Sequence, residues 1–522
     1  MSERRGAHAS GSTSPTQRRA IGDRTAAALV FGASAAVLVV ELVALRLLAP
    51  YLGLTLETST LVIGTALAAI AVGSWVGGKW ADRIDPARAL APLLAISAVA
   101  VAATPFVVRA AALASGGGSG SAAVLLASAV TIIVPGALLS AVTPMVTKLR
   151  LSTLAQTGTI VGRLSGISTA GAIAGTVITG FVLITRVSVT GIMVGLGVAL
   201  LVAAGLVAVL LGGTRRQIAG GAVAALLLGA LTLGSPSGCD AETTYHCAAI
   251  LPDPARESGR TLVLDGLRHS YVDLADPTYL HFTYVRAIAA GIDAHRPQGA
   301  ALRVHSIGAG GLTLPRYLAH ARPGTTGTAS EIDGGVVALD REELALPADL
   351  GVDIRVEDGR VGLRALPAGE ADVVIGDAFG GVSVPWHLTT REAIGDVSDA
   401  LRPDGAYAVN LIDYPPLDFV RAELATLRTV FPHVALAAAP AIFSPEATSR
   451  LAPGGGNLIA LASHAPLDTT AWERSLRERN VPWSVRTGAA LDAWIGEAPV
   501  LTDDYAPVDQ LLTPYPPTIH RA

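Results

Sequence analysis

The chain has 522 residues, 51% of them apolar and only 15% charged, with a mean hydropathy of +0.50. That composition excludes a disordered chain and argues against an ordinary soluble globule of this length. Charge is split as well: residues 1–235 hold 16 basic against 6 acidic side chains and the remainder 22 against 36, which argues against a nucleic-acid binder and for two halves in two solvents.

Residues 1–24 read as an Arg-rich cytoplasmic tail and 25–235 as a transmembrane helical domain. Seven hydrophobic runs of spanning length (about 20 residues) follow one another at 25–49, 58–80, 89–113, 121–144, 165–186, 188–212 and 217–235. Stretches such as 191–211 have no polar face at helical spacing, so they read as spans rather than core helices. The first run is too long for the apolar region of a cleaved signal and reads as a retained helix.

Basic residues favour alternate loops: Arg4, Arg5, Arg18, Arg19 and Arg24, then Lys79, Arg83 and Arg88, then Lys148, Arg150 and Arg163, then Arg215 and Arg216. The positive-inside rule makes that side cytoplasmic. Seven crossings then place the C-terminal half outside, so a multi-pass cell-membrane protein with an extracytoplasmic domain is expected. Glu41 and Arg46 in the first span read as a structural pair or as interfacial residues. Cys239 and Cys247 follow the last span; paired, they suit an oxidising compartment, with two unlinked thiols or a cluster with His246 as alternatives.

Residues 236–290 read as a small β domain with β-type runs at 261–264 and 271–274. From 291 to 522 strands and helices alternate, which argues an α/β fold with a mostly parallel sheet. The strand at 302–307 runs into Gly308-Ala309-Gly310-Gly311 and a helix bearing Leu314, Tyr317 and Leu318, the strand–turn–helix of a nucleotide site. Glycines at 308 and 310 let a ligand approach the backbone. Glu331, ending the next strand, has the spacing of a ribose-binding acid. The third fingerprint glycine is replaced by Thr313, which favours a nucleoside without phosphates. Asp358 and Asp377 end two more apparent strands, and ligands sit beyond the carboxyl ends of such strands. The three acids are expected in one crevice, although each alone is as readily a turn or cap residue. No Cys/His metal spacing, Walker loop or nucleophile elbow occurs.

At these residues the C-terminal half resembles the spermidine synthase family of polyamine aminopropyltransferases. The likeness runs through Leu264-Asp265-Gly266, the loop from Gly308 to Arg316, Glu331-Ile332-Asp333, Asp358-Gly359-Arg360, Asp377 with Val384-Pro385 and Leu388-Thr389-Thr390, and the residues 401–405 before a strand. With the helical half attached, it resembles fused transporter-like/spermidine synthase-like membrane proteins. Glu41, Arg46 and Pro50 and the run 501–508 also fit that group, and the stretch from Gly77 to Arg83 resembles the loop after the second helix of major-facilitator transporters.

The resemblance implies a Rossmann-like methyltransferase-type domain behind the small β domain, and a transferase with no permanent cofactor and no metal. Its co-substrate would be decarboxylated S-adenosylmethionine or S-adenosylmethionine, and its partners a nucleoside thioether or sulfonium, an amine and the lipid bilayer, with a homodimer possible and no nucleic acid. Carried over, Glu331 would hold the ribose diol, Asp358 and Gly359 the adenine, and Asp377 would be the catalytic base. His269 stands where the family has a nucleoside-contacting Gln. Other positions depart: Gly311 and Gly380 replace family aspartates and Val285 a family histidine. These residues help bind the diamine, so the departures argue against putrescine as acceptor. Two further readings remain at this point: a transport or sensing protein whose soluble domain binds a nucleoside without turnover, and an S-adenosylmethionine-dependent methyltransferase.

Overall fold

The computed structural model describes residues 21–52, 56–114, 122–151, 157–212, 215–234, 239–379, 384–444, 447, 449 and 454–513. The first half is helical: α1 (Asp23–Leu52), α2 (Leu56–Arg83), α3 (Pro86–Ala114), α4 (Ala122–Ser140), α5 (Val142–Arg150), α6 (Thr157–Ile178), α7 (Val189–Leu211) and α8 (Arg215–Leu233). With α4 and α5 taken as one broken rod and α6 extended by a π turn to Leu183, six helices among the described residues are long and apolar enough to cross a membrane. The seventh expected span is shorter, its apolar part covering Ala219–Leu233. It still packs into the bundle: the Thr232 hydroxyl donates to the Ala102 carbonyl of α3 at 3.1 Å.

Small residues set the helix contacts. A Cβ at Gly171 or Gly175 would strike the α1 backbone at Phe31 or Ala35, and one at Gly73 or Gly77 would strike Ala137 or Ala141. Such close approach is how helices associate where the surroundings are as apolar as the side chains. The outer surface leaves Leu126, Phe181, Leu206 and Val209 exposed, an apolar area of the kind that lipid covers.

The bundle has two unlike ends. At one, Asp23 pairs with Arg150 and Arg163, and Asp82 with Lys148. The soluble half is seated on the other, where Leu56 N–H donates to Asp509 at 3.0 Å and Arg46 and Arg109 meet residues 242–243. The chain therefore enters at the basic end and leaves at the opposite one. No ion pair joins Arg46 to Glu41 among the described residues; Arg46 reaches the soluble half instead.

A four-stranded antiparallel sheet comes next, β1 (Ala241–Glu242), β2 (Cys247–Asp253), β3 (Arg256–Leu264) and β4 (Leu267–Asp273). Cys239 and Cys247 are joined as a disulfide across its first turn, resolving what sequence left open. Helix α9 (Thr283–His295) leads into an α/β unit: β5 (Arg303–Ile307), α10 (Thr313–Ala321), β6 (Thr326–Glu331), α11 (Gly334–Glu342), β7 (Val352–Val356), α12 (Gly359–Arg364), β8 (Ala371–Gly376), α13 (Arg391–Ala400), β9 (Leu401–Asp413), α14 (Asp418–Val430), β10 (His433–Ala438), β11 (Gly456–Ser463), α15 (Thr469–Glu478) and β12 (Ser484–Thr487).

The strand order is β12-β10-β11-β9-β8-β5-β6-β7. Strands β5 to β9 run parallel, and β11 is reversed between β9 and β10. This is the Rossmann-like methyltransferase-type sheet. Its central strands are buried on both faces, which is why 371–376 reads as a nearly unbroken apolar run. One core, with Ile307, Val374, Leu424 and Phe431, lies on one face; the other, with Ile288, Val304, Leu318 and Trp472, lies on the opposite face. Residues 401–405, expected to precede a strand, begin β9 itself.

Candidate functional site

The order of strands arranges the candidate residues. Along the carboxyl edge of the parallel strands come Asp358 after β7, Glu331 at the end of β6, the glycine loop after β5, Asp377 after β8 and Asn410 near the end of β9. They line one cleft of about 750 Å³ together with Gly308, Gly310, Gly359 and His269, well sized for a small molecule. All seven sequence-predicted site residues thus meet in one place.

Gly308 sits at φ +94°, and a Cβ there would run into the Asp377 carbonyl. The loop can lie this close to the next strand end because position 308 has no side chain. Gly310 lines the cleft above Leu262. The Glu331 carboxylate accepts the N–H of Ala309 at 2.9 Å and of Asp333 at 3.0 Å, one on each oxygen. Burial pushes its pKa up against these two bonds. Each oxygen keeps a second lone pair for a ligand hydroxyl.

Asp358 caps α12, its Oδ1 accepting Arg360 N–H at 2.9 Å, while Oδ2 lies 2.8 Å from His387 Nε2. Burial works to raise its pKa, but the His387 ring and the helix-terminal N–H groups hold it below the usual carboxylate value. It is therefore both cap and cleft residue. His269 is turned to the Leu267 carbonyl through Nδ1 at 3.0 Å. Burial depresses its pKa to about 4, so it is a neutral ring at physiological pH.

Asp377 lies at the middle of the cleft. Oδ1 accepts Asn410 Nδ2–H at 2.9 Å and Oδ2 accepts the Tyr284 hydroxyl at 3.2 Å. Asn410 is itself oriented by Asn457, which donates to its amide oxygen at 3.0 Å. Burial pushes Asp377 up to about 6 against these two bonds. A carboxylate poised there can accept a proton near neutral pH.

Beyond Asp377 the wall changes character, to Tyr284, Ile412, Tyr414, Ile442 and Trp483. Among the described residues the cleft's carboxylates are Glu331, Asp358 and Asp377, which follow or end β6, β7 and β8. Gly311 explains part of this: it is held at φ +70°, and the Ser270 hydroxyl fills the space a Cβ would need. Gly380 lies outside the described residues.

Sequence reading missed His387, Asn410 and Asn457. His387 lies between Val384-Pro385 and Leu388-Thr389-Thr390, and Asn410 is the one amide in the apolar run 406–412, a signal that a buried polar group has a partner. Tyr245 and His246, beside the second cysteine, also line the cleft.

No family model matches the chain. It is 29% identical over 155 residues to a polyamine aminopropyltransferase of Vibrio vulnificus, covering 29% of this chain and 50% of that protein. It is also 29% identical over 286 residues to a probable polyamine aminopropyl transferase of Bifidobacterium longum, covering 52% of this chain and 61% of the relative. The chain spans about half the length of the curated relatives it matches. Among solved structures, a probable spermidine synthase from Corynebacterium glutamicum aligns at 28% identity with a TM-score of 0.46, over 51% of this chain and 96% of that one. By these comparisons the C-terminal half is similar to polyamine aminopropyltransferases, and it follows a half whose described residues include six helices long and apolar enough to cross a membrane.

Proposed function

We propose that the protein is a membrane-anchored transferase of the aminopropyltransferase type, using decarboxylated S-adenosylmethionine as donor. The observation that carries this reading is Asp377, raised to about 6 between the nucleoside end of the cleft and an aromatic wall. Glu331 would accept the two ribose hydroxyls, Asp358 and Gly359 would meet the adenine, and the glycine loop would let the nucleoside lie against backbone. His269, neutral, would pack against the nucleoside.

The chemistry is a single displacement. The amine nitrogen attacks the carbon beside the sulfonium; the N–C bond forms as the C–S bond breaks, and its electron pair stays on sulfur to give the thioether. The proton lost by the amine goes to Asp377. Alignment supplies much of the rate, and one base completes it. Beyond Asp377 the described wall holds Tyr284, Ile412, Tyr414, Ile442, Asn457 and Trp483 and no further carboxylate, which fits an amine presenting one nitrogen on an apolar body better than a diamine, whose second ammonium would be buried without a counter-charge.

The test uses the full chain in detergent micelles. Methylthioadenosine is expected to raise its melting temperature, and the decarboxylated donor is expected to alkylate apolar monoamines faster than putrescine. Stabilisation without turnover on any amine would leave a nucleoside sensor, and methyl transfer from S-adenosylmethionine would make it a methyltransferase. No stabilisation at all would end the nucleoside readings together.

The basic end of the bundle is the cytoplasmic one by the positive-inside rule, so the same proposal places the soluble half outside, with α8 as a seventh crossing. In intact cells, a membrane-impermeant thiol reagent is expected to label Cys239 and Cys247 only after reduction. Absence of label after reduction, with labelling restored on permeabilisation, would put the domain in the cytoplasm.

A further inference from the structure

Three helices of the bundle hold one short segment of the soluble half. Arg109 on α3, only 7% exposed, pairs with Glu242 at 3.1 Å and donates to the Thr190 hydroxyl at 2.7 Å. The other Glu242 oxygen accepts the N–H of Val189, at the start of α7, at 2.6 Å. Arg46 on α1 donates to the Thr243 carbonyl at 2.6 Å. The Cys239–Cys247 disulfide closes this segment on itself.

From the segment the contacts lead directly to the cleft. The Thr243 hydroxyl and the Tyr245 N–H, the latter at 3.1 Å, both donate to Asp333. The N–H of Asp333 in turn donates to Glu331 at 3.0 Å. His246 lines the cleft and lies 2.7 Å from Asp265 through Nδ1, while the other Asp265 oxygen accepts Cys247 N–H at 2.9 Å. Buried guanidinium groups release such partners only at high cost. The partners of Asp377, by contrast, are Tyr284 and Asn410, which belong to the soluble half.

We propose that Arg46 and Arg109 are positioning residues for the nucleoside end of the cleft, acting through the disulfide-closed segment 239–247 on Asp333 and Glu331. The proposal rests on the donor-binding reading above. It makes donor affinity a property of the whole chain, whereas the acceptor end is set within the soluble half alone.

Full-length protein in detergent micelles is titrated calorimetrically with methylthioadenosine and assayed with the decarboxylated donor and an amine. Arg46→Met is expected to weaken methylthioadenosine about tenfold, the scale of one lost charged hydrogen bond, and to raise the donor KM alike. The amine KM and the acid limb of the pH profile are expected to stay in place. Arg46→Lys should recover part of the affinity. Thr243→Val, which alters no residue of the bundle, should reproduce the donor defect, and Arg163→Ala at the opposite end should bind as wild type does. Wild-type binding that Arg46→Met and Thr243→Val leave intact would overturn the proposal, as would defects striking donor and amine equally. A wild type that binds no methylthioadenosine overturns the donor reading itself and this proposal with it.

Discussion

Asp377→Asn is expected to lower turnover by about 10²- to 10⁴-fold, the usual worth of a positioned general base, while methylthioadenosine binding persists. The amide keeps the shape and the contact with the Tyr284 hydroxyl but cannot take the amine proton. In the wild type, activity should rise with pH along an acid limb centred near pH 6, because Asp377 acts only as the carboxylate and burial has pushed it up to about 6. Asn410 and Tyr284 hold that value down, so Asn410→Leu or Tyr284→Phe should move the limb to higher pH.

Stability gives an independent reading of the same group. A carboxyl whose folded pKa lies above its unfolded one favours the native state most below the unfolded value, near pH 4, and that favour is lost as pH rises through about 6. At pH 7 the native state therefore carries an ionised group it would prefer protonated. Asp377→Asn should melt no lower than wild type at pH 7, and the difference should shrink at pH 4. A variant that keeps full turnover would remove Asp377 from the chemistry.

Glu331→Gln is expected to weaken methylthioadenosine by about 10²-fold or more, since hydrogen bonds to a charged group are worth about 1.5–3 kcal/mol each. The wild-type carboxylate faces two backbone N–H groups, from Ala309 and Asp333. A glutamine offers them one acceptor and one donor, so one N–H of the pair must turn away from it. Calorimetry with methylthioadenosine and its 2′-deoxy analogue separates ribose recognition from general damage. The deoxy analogue should bind weakly to wild type and lose much less on substitution. Equal losses for both ligands would place the ribose elsewhere.

The central parallel strands β5 and β8 were legible because they are buried on both faces, and β6, β7 and β8 because each ends at or just before an acid. Glu331 closes β6, and Asp358 and Asp377 follow the last residues of β7 and β8, Val356 and Gly376, a regularity that places all three acids in one crevice. The helical half was legible by hydropathy, apart from α8, whose apolar part is short. Less was readable where function depends on what a side chain meets. Asp358 is a cap and a cleft residue at once, which spacing cannot separate. Asn410 is oriented by Asn457, 47 positions away, and such a pairing is created only when β9 and β11 lie side by side. Arg46 reads from sequence as one of a pair with Glu41 or as an interfacial residue, whereas its guanidinium meets the Thr243 carbonyl, 197 positions on.

The soluble half is fastened to the bundle near its beginning, through Glu242 and Thr243, and again near its end, where Asp509 accepts the N–H of Leu56. A body tethered once sweeps a cone about its linker; a body tethered twice keeps at most a hinge axis. The second tether closes a loop of more than two hundred and fifty residues, and closing a loop that long costs little more entropy than closing one half its length. The motion left to the cleft relative to the end of the bundle is thus a rotation about the line through the two tethers.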